Sequence, residues 1–194
     1  MQALLEDQAL IDDLIEGSEE AFRTLVELFQ HRVYNTSMGL LRSESEAEDI
    51  TQEVFIEVFQ SIDKFKGEAK LSTWIYRITV TKSLELMRYK KRKKRFAPIL
   101  SLFNSDGEQM VEPPDFVHPG VKLEQKENAA MLFGAIDRLP ESQQTAFTLH
   151  KIQGLSYQEI SGIMDTTLSS VESLMHRAKS NLKKHLTKFY YESR

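Results

Sequence analysis

A dense run of basic side chains is the clearest chemical feature of this 194-residue chain. Every residue from Arg88 to Arg95 is basic except Tyr89, although the chain carries 29 acidic and 25 basic side chains and a formal net charge of -4. Clustered Lys and Arg neutralise phosphates and release their counterions, which favours a site for a polyanion. The run is as typical of a solvated helix end or a flexible tail, and by itself it does not separate these interpretations.

The segment before the basic run contains aromatic residues and a strip of polar and basic side chains. At about 100° per residue, four polar or basic side chains fall on one strip of a helix: Thr73, Arg77, Thr81 and Arg88. Trp74 and Tyr76 lie near the start of this helix, and Phe65 precedes it. Single-stranded nucleic acid stacks its bases on rings while its phosphates meet cations. The pattern favours such a site, and a core position for the lone Trp74 is the ordinary alternative.

The segment from Leu155 to Leu182 predicts a helix-turn-helix. Ser156 and Glu159 have the spacing of a capping box, and Thr167 ends a polar turn where it can cap the next helix. The outer face of that second helix carries polar groups that can bond to base edges in a major groove. These are Glu172, Ser173, His176 and Arg177. Two packed helices with a solvated face are the alternative, and we favour DNA binding.

A mixed face on an earlier helix predicts a protein partner. Asp49, Gln52, Glu53 and Ile56 share this face, which combines acidic, amide and apolar groups. An ordinary half-buried helix would have the same pattern. Asp49 and Glu53 also lie one turn apart and could hold a magnesium ion in a nuclease, but a solvated acidic pair is far commoner.

Composition argues against several other classes of protein. The absence of cysteine excludes disulfides and thiolate zinc sites. The five histidines show no ligand spacing, and no glycine-rich loop could cradle a phosphate. We therefore expect no enzyme, no catalytic residue, no metal, no cofactor and no small-molecule substrate. The N-terminus lacks the pattern of a signal peptide, and no apolar run could span a bilayer, so we expect a cytoplasmic protein without membrane insertion.

Helical periodicity runs through most of the chain, so we expect an all-α fold. The apolar stripes are Phe22, Leu25, Phe29 and Val33; Ala47, Ile50, Val54, Val58 and Ile62; and Ile75, Ile78 and Leu86. Ser18 precedes the first long helix, and Ser43 with Glu46 predicts a capping box at the second. Four of the five prolines fall between 96 and 123, which predicts a linker. We expect two small helical domains, 1–96 and 125–194, joined by an extended acidic linker at 97–124.

Both predicted domains resemble one family of proteins. Residues 47–78, AEDITQEVFIEVFQSIDKFKGEAKLSTWIYRI, closely resemble region 2 of the sigma-70 family of bacterial transcription initiation factors. Residues 139–182, LPESQQTAFTLHKIQGLSYQEISGIMDTTLSSVESLMHRAKSNL, resemble region 4 of the same family. The resemblance is strongest to the compact extracytoplasmic-function (ECF) group. It implies a region 2 helical bundle followed by a region 4 helix-turn-helix.

The resemblance also implies roles for single residues. The core RNA polymerase, with its β and β′ subunits, would be a partner, and its β′ coiled coil would meet Asp49, Gln52, Glu53 and Phe55. The melted minus-ten promoter element would meet Phe65, Lys66, Thr73, Trp74, Tyr76, Arg77, Thr81 and Arg88. The DNA backbone would meet Lys90, Lys91, Arg92, Lys93, Lys94 and Arg95. The duplex minus-thirty-five element would meet Ser169, Ser170, Ser173, His176 and Arg177.

The implied function is that of an alternative sigma factor, which binds core polymerase, recognises the two promoter elements and promotes DNA melting. Thr81 and Glu85 stand where the family often has Asn and Asp, which leaves the promoter sequence open. An anti-sigma protein is a further expected partner, although no residue of the chain identifies one. The rival is a stand-alone helix-turn-helix regulator, which would leave the Asp49, Gln52 and Glu53 face unused.

Overall fold

Helices make up all the regular structure in the described part of the chain. The computed structural model describes residues 2–101 and 131–192, with side chains for residues 8–94 and 131–187. The helices are α1 (Gln2–Ile15), α2 (Glu19–Leu41), α3 (Glu44–Ser61), a 3-10 turn (Ile62–Lys64), α4 (Leu71–Ser101), α5 (131–137), α6 (Glu141–Lys151), α7 (Tyr157–Ile163) and α8 (Leu168–Glu192). The predicted all-α class is confirmed. No helix within the described ranges is long and apolar enough to cross a membrane.

Helices α1 to α4 form an N-terminal bundle around the predicted apolar stripes. Leu25 on α2 and Val54 on α3 are fully buried, and Ile75 on α4 is 1% exposed. Ser18 caps α2, because its hydroxyl accepts a hydrogen bond of 3.2 Å from the Ala21 amide. The stripes therefore position α3 and α4, which carry most of the N-terminal candidate residues.

The predicted capping box at the start of α3 is wrong. Ser43 occupies the N-cap position, but its side chain makes no capping hydrogen bond there and lies 3.4 Å from the Ser45 hydroxyl. The Glu46 carboxylate pairs with the Lys90 ammonium of α4 instead. The Glu46 carboxylate, which the local spacing predicted as part of the cap, thus binds the lysine of a neighbouring helix.

Helices α5 to α8 form the C-terminal bundle. Ile160 on α7 and Val171 on α8 are fully buried, and Leu149 on α6 is buried with them. Ala178 and Leu182 on α8 pack against α5 in a smaller cluster. These contacts fix α7 and α8 as a pair of helices joined by a short turn.

The two bundles also share a core. Leu40 on α2, together with Tyr76 and Val80 on α4, belongs to the same buried cluster as Leu149 and Ile160 of the C-terminal bundle. Helix α2 meets α6, and α4 meets α7. The chain therefore places its two domains directly against each other.

Helix α4 extends into the segment that we predicted as linker. It runs to Ser101 and includes Pro98. Proline removes one N–H donor and restricts the residue before it, and Pro98 stands in the last turn of α4. Residues 102–130, which carry the rest of the predicted linker and the start of the second domain, lie outside the described residues. The domain limits remain predictions.

Candidate nucleic-acid interface

The predicted capping box at the start of α7 is confirmed. The Ser156 amide donates to the Glu159 carboxylate at 2.9 Å, and the Glu159 amide donates to the Ser156 hydroxyl at 3.3 Å. These bonds hold the pKa of Glu159 below its usual range, because the Ser156 hydroxyl and amide both stabilise the charged carboxylate. The start of the first helix of the helix-turn-helix is therefore fixed by its own sequence.

The turn between α7 and α8 is also built by local side chains. Asp165 adopts a left-handed backbone with φ of 49°, a conformation that Asp tolerates better than most residues. The Ser170 amide donates to the Thr167 hydroxyl at 3.1 Å, so Thr167 caps α8 as predicted. The turn sets the angle at which α8 leaves α7.

The outer face of α8 is open to solvent. Its inner side is buried at Val171 and Met175. Four exposed side chains line a shallow depression on the opposite side: Glu172, Ser173, His176 and Arg177. Their donors and acceptors suit base edges and phosphates.

Most of the predicted minus-thirty-five set reaches this face or its beginning. Ser169 is exposed, whereas Ser170 is half-buried and its hydroxyl lies 2.8 Å from the Thr167 hydroxyl within the cap. Glu172 also lies on this face, although the predicted minus-thirty-five set does not include it. Its position beside Ser173 on the helix is the feature of the sequence that indicates this placement. A carboxylate there can accept a hydrogen bond from the amino group of cytosine.

An aromatic pair lies at the start of α4. The Phe65 and Trp74 rings are 5.2 Å apart at an angle of 43°, and both are half-buried. Lys66 is exposed in the loop between them, and Thr81 is exposed further along α4. This part of the predicted minus-ten set is brought together at one end of the N-terminal bundle.

Two members of the minus-ten set face the C-terminal bundle instead of solvent. Tyr76 is 5% exposed, and its hydroxyl donates to the Gln153 side-chain oxygen at 3.3 Å. Burial raises the pKa of Tyr76. The Arg77 guanidinium donates from Nε and Nη2 to the Gly162 carbonyl oxygen, at 2.9 and 2.6 Å. In this arrangement Tyr76 and Arg77 are engaged by protein groups.

The basic run lies along the exposed end of α4, and its first members form ion pairs. Arg88 Nε lies 3.0 Å from Glu141 Oε2, and Lys91 Nζ lies 3.3 Å from Glu141 Oε1. Burial alone would raise the pKa of Glu141, but hydrogen bonds from Arg88 and Lys91 outweigh it and the pKa is lowered. Lys90 pairs with Glu46. Arg92, Lys93 and Lys94 are exposed, and the side chain of Arg95 lies outside the described residues.

The predicted partner face of α3 is exposed except at one position. Asp49, Gln52 and Glu53 are exposed, and Ile56 is 55% exposed beside them. Phe55 is only 7% exposed and belongs to the core of the N-terminal bundle. The structure places its ring beneath the exposed face, and its direct contact with a partner stays a prediction.

Lys82 modifies the acidic character of this region. Its ammonium lies 3.6 Å from Glu53 Oε2 and 3.7 Å from Glu57 Oε2. A cation between these carboxylates disfavours a metal ion at Glu53. The face is therefore better suited to a protein partner than to magnesium.

Comparison with known proteins gives two family matches. Residues 25–93 match sigma-70 region 2, and residues 130–182 match sigma-70 region 4. An ECF RNA polymerase sigma-E factor of Haemophilus influenzae is 33% identical over 182 residues, covering 92% of this chain and 94% of the relative. The factor of the same name in Escherichia coli K12 is 30% identical over 179 residues, covering 92% and 93%.

Solved structures show the same fold at lower identity. CnrH in complex with the cytosolic domain of CnrY is similar with a TM-score of 0.66 and 17% identity, covering 94% of this chain and 97% of that one. The sigma factor RpoE in complex with the anti-sigma factor NepR from Bartonella quintana gives 0.57 and 18%, covering 86% and 96%.

A region 2 bundle followed by a region 4 helix-turn-helix defines a class of transcription initiation factors, and the chain belongs to this class, the sigma-70 family. Within the family it is an ECF sigma factor.

Proposed function

We propose that this chain is a dissociable subunit that brings core RNA polymerase to promoters and opens the DNA there. The observation that carries the proposal is the exposed polar face of α8, held as the second helix of a helix-turn-helix by caps on both helices. A helix so placed can enter a major groove and read base edges. In this proposal it reads the duplex minus-thirty-five element through Ser169, Ser173, His176 and Arg177.

The exposed face of α3 holds the polymerase in this proposal. Asp49, Gln52 and Glu53 supply acceptors and a donor, and Ile56 adds apolar surface that a partner can bury. The occupant is the β′ coiled coil of the core enzyme. Phe55 contributes by keeping α3 in place.

The start of α4 holds the melted minus-ten element. Flipping a base out of the duplex costs a few kcal/mol, and stacking on an aromatic ring returns about 1–3 kcal/mol per base. The Phe65 and Trp74 pair supplies such rings, and Lys66 and Arg77 supply cations nearby. The exposed cations Arg92, Lys93 and Lys94 then follow the phosphate backbone.

The chemistry of RNA synthesis belongs to the polymerase, and this chain supplies recognition and strand separation without a catalytic residue of its own. The described residues contain no group of three or more His, Cys, Asp or Glu side chains that could hold a metal ion. An anti-sigma protein is a further partner in this proposal, as the structure of RpoE with NepR shows for that factor.

Mapping of transcription start sites tests the proposal. Core polymerase of Escherichia coli, the organism of one relative, is mixed with genomic DNA fragments with and without the purified chain. We expect new start sites that share two sequence elements at a fixed spacing. If the chain adds no start sites while a sigma factor from Escherichia coli does in the same mixture, the proposal is contradicted.

A further inference from the structure

We propose that the second half of α8 is a separate DNA-binding site, in which Lys179, Lys183 and Lys184 bind phosphates of the duplex that flanks the minus-thirty-five element. This inference rests on the proposed function, because it takes the outer face of α8 into the major groove at that element. It adds a second contact with the same duplex, which depends on charge and not on base sequence.

Helix α8 extends well past the part of the chain that matches the family. The match to sigma-70 region 4 ends at residue 182, whereas α8 continues to Glu192. The inner side of the extension is packed, since Leu182 and Leu186 lie in one apolar cluster with Ile136 of α5. This contact holds the extension against the C-terminal bundle and leaves its other side open to solvent.

Two lysines of this half continue the outer face of α8. Lys183 follows His176 by seven residues, and Lys184 follows Arg177 by the same interval. At about 100° per residue, seven residues return a side chain to within about 20° of the same direction, about 10 Å further along the helix. Both lysines are exposed, as are His176 and Arg177. The face that carries the proposed base-reading residues at its beginning is therefore basic at its end.

The positive charge of this half has no counterpart on the neighbouring protein surface. No acidic residue lies between Glu172 and Glu192 in the sequence. Within the described part of the chain, Lys179, Lys183 and Lys184 have no carboxylate at ion-pair distance. The first cations of the basic run on α4 differ, because each of them pairs with a carboxylate of the protein. The lysines of α8 are therefore the more available cations for an external polyanion.

Stabilisation of the helix itself does not account for these lysines. Cations near the carboxyl end of a helix interact favourably with its dipole, but the effect is confined to the last turn. Lys184 lies about two turns before the helix end at Glu192. Lys179 and Lys183 lie further still from that end. Their charges therefore contribute little to the helix and remain available to a ligand.

The length of α8 separates two kinds of DNA contact. From Ser169 to Lys184 the outer face extends about 22 Å at 1.5 Å per residue, whereas the major groove is about 12 Å wide. The second helix of a helix-turn-helix enters the groove with its first residues, so its far end lies over the sugar-phosphate backbone beside the groove. The carboxylate of Glu172 follows the same division, because it lies in the half that faces base edges, where cytosine offers a donor.

The salt dependence of promoter binding tests this site. Lys183→Gln/Lys184→Gln removes two cations and keeps two good helix formers. Lys183→Arg/Lys184→Arg keeps the charge, and Arg23→Gln/Lys151→Gln is the matched control because it removes two exposed cations from α2 and α6. Each full-length variant is mixed with core polymerase of Escherichia coli. Its affinity for a promoter found by start-site mapping is then measured from about 50 to about 200 mM salt.

We expect the glutamine pair to reduce the salt slope by about 1.8, since each lost phosphate contact removes about 0.9. The affinity advantage of wild type over this variant should therefore shrink about tenfold across that range of salt. The arginine pair and the control pair should keep the wild-type slope. In hydroxyl-radical footprinting, the glutamine pair should lose protection of the backbone beside the minus-thirty-five element and keep protection at the minus-ten element.

A wild-type slope in the glutamine pair, or an equal loss of slope in the control pair, would overturn the inference. Loss of co-elution with core polymerase in the glutamine pair would also overturn it, because the lysines would then bind an acidic protein surface. If wild type itself adds no start sites, the proposed function fails, and the same slopes are measured for the free chain on duplex DNA. A reduction of about 1.8 there would still support the phosphate site, whereas a chain that binds no DNA would overturn both.

Discussion

The Arg77 guanidinium on α4 and the Gly162 carbonyl on α7 are joined by two hydrogen bonds across 85 positions of sequence. This contact joins a residue of the minus-ten set to the first helix of the helix-turn-helix. The proposed minus-ten surface is therefore partly covered by the C-terminal bundle, whereas the outer face of α8 is open to solvent. Substitutions on each surface separate their contributions.

Removing the cap of α7 should destabilise the C-terminal bundle. In Ser156→Ala the Glu159 amide loses its 3.3 Å acceptor, which typically costs about 1 kcal/mol. Urea unfolding measures this loss. Ser180→Ala, on the exposed side of α8, is the control and should stay within about 0.5 kcal/mol of wild type.

The same cap predicts a pH dependence of stability. The folded-state pKa of Glu159 lies below its usual range because the Ser156 hydroxyl and amide stabilise the charged form. The carboxylate therefore stabilises the fold above the usual glutamate pKa, and this stabilisation is lost as the pH falls through the lowered value. The difference in unfolding free energy between wild type and Glu159→Gln should shrink on acidification. A difference that stays constant from neutral to acidic pH would contradict this cause.

The basic run should act on binding strength and not on promoter choice. Lys93 is exposed at the end of α4, so Lys93→Ala removes a phosphate contact and should reduce the salt slope of promoter binding by about one. The set of promoters used should stay the same. Arg23→Ala, an exposed charge on α2, should leave the slope unchanged. An unaltered salt slope in Lys93→Ala would contradict a phosphate contact by this residue.

Arg177 should contribute to sequence discrimination at the minus-thirty-five element. It is exposed on the outer face of α8, and loss of a good base contact costs about 1–3 kcal/mol of discrimination. Arg177→Ala should bind matched and altered elements with more similar affinity in a competition assay. Arg23→Ala, the exposed charge on α2, is the control. If Arg177→Ala loses the same affinity for matched DNA as for altered DNA, Arg177 contacts the backbone only.

Much of the fold follows from short-range patterns in the sequence. The stripe through Leu25 and the stripe through Val54 predict the buried sides of α2 and α3, because a helix with such a stripe must bury it. The capping box of Ser156 and Glu159 is confirmed as well, because all its hydrogen-bond partners lie within one helical turn. The family resemblance adds the order of the two domains.

The remaining features depend on neighbours that are distant in sequence. The Glu46 carboxylate pairs with Lys90, 44 positions away, instead of capping α3 as predicted. Arg77 has the periodicity of the predicted polar strip and Tyr76 precedes it, but the C-terminal bundle covers both residues. Phe55 shows the same limit, because its place beside exposed residues in the family motif does not reveal that its ring faces inward. No local pattern encodes such contacts.

Binding to core RNA polymerase tests the central claim most directly. Purified core enzyme is mixed with wild type, with Asp49→Ala/Gln52→Ala, and with Asp13→Ala, an exposed carboxylate on α1, and each mixture is separated by size. We predict stoichiometric co-elution for wild type and Asp13→Ala, and its loss for the double variant. If none of the three binds core enzyme while the chain alone still shifts duplex DNA, the chain acts without polymerase and its role as a dissociable polymerase subunit is contradicted.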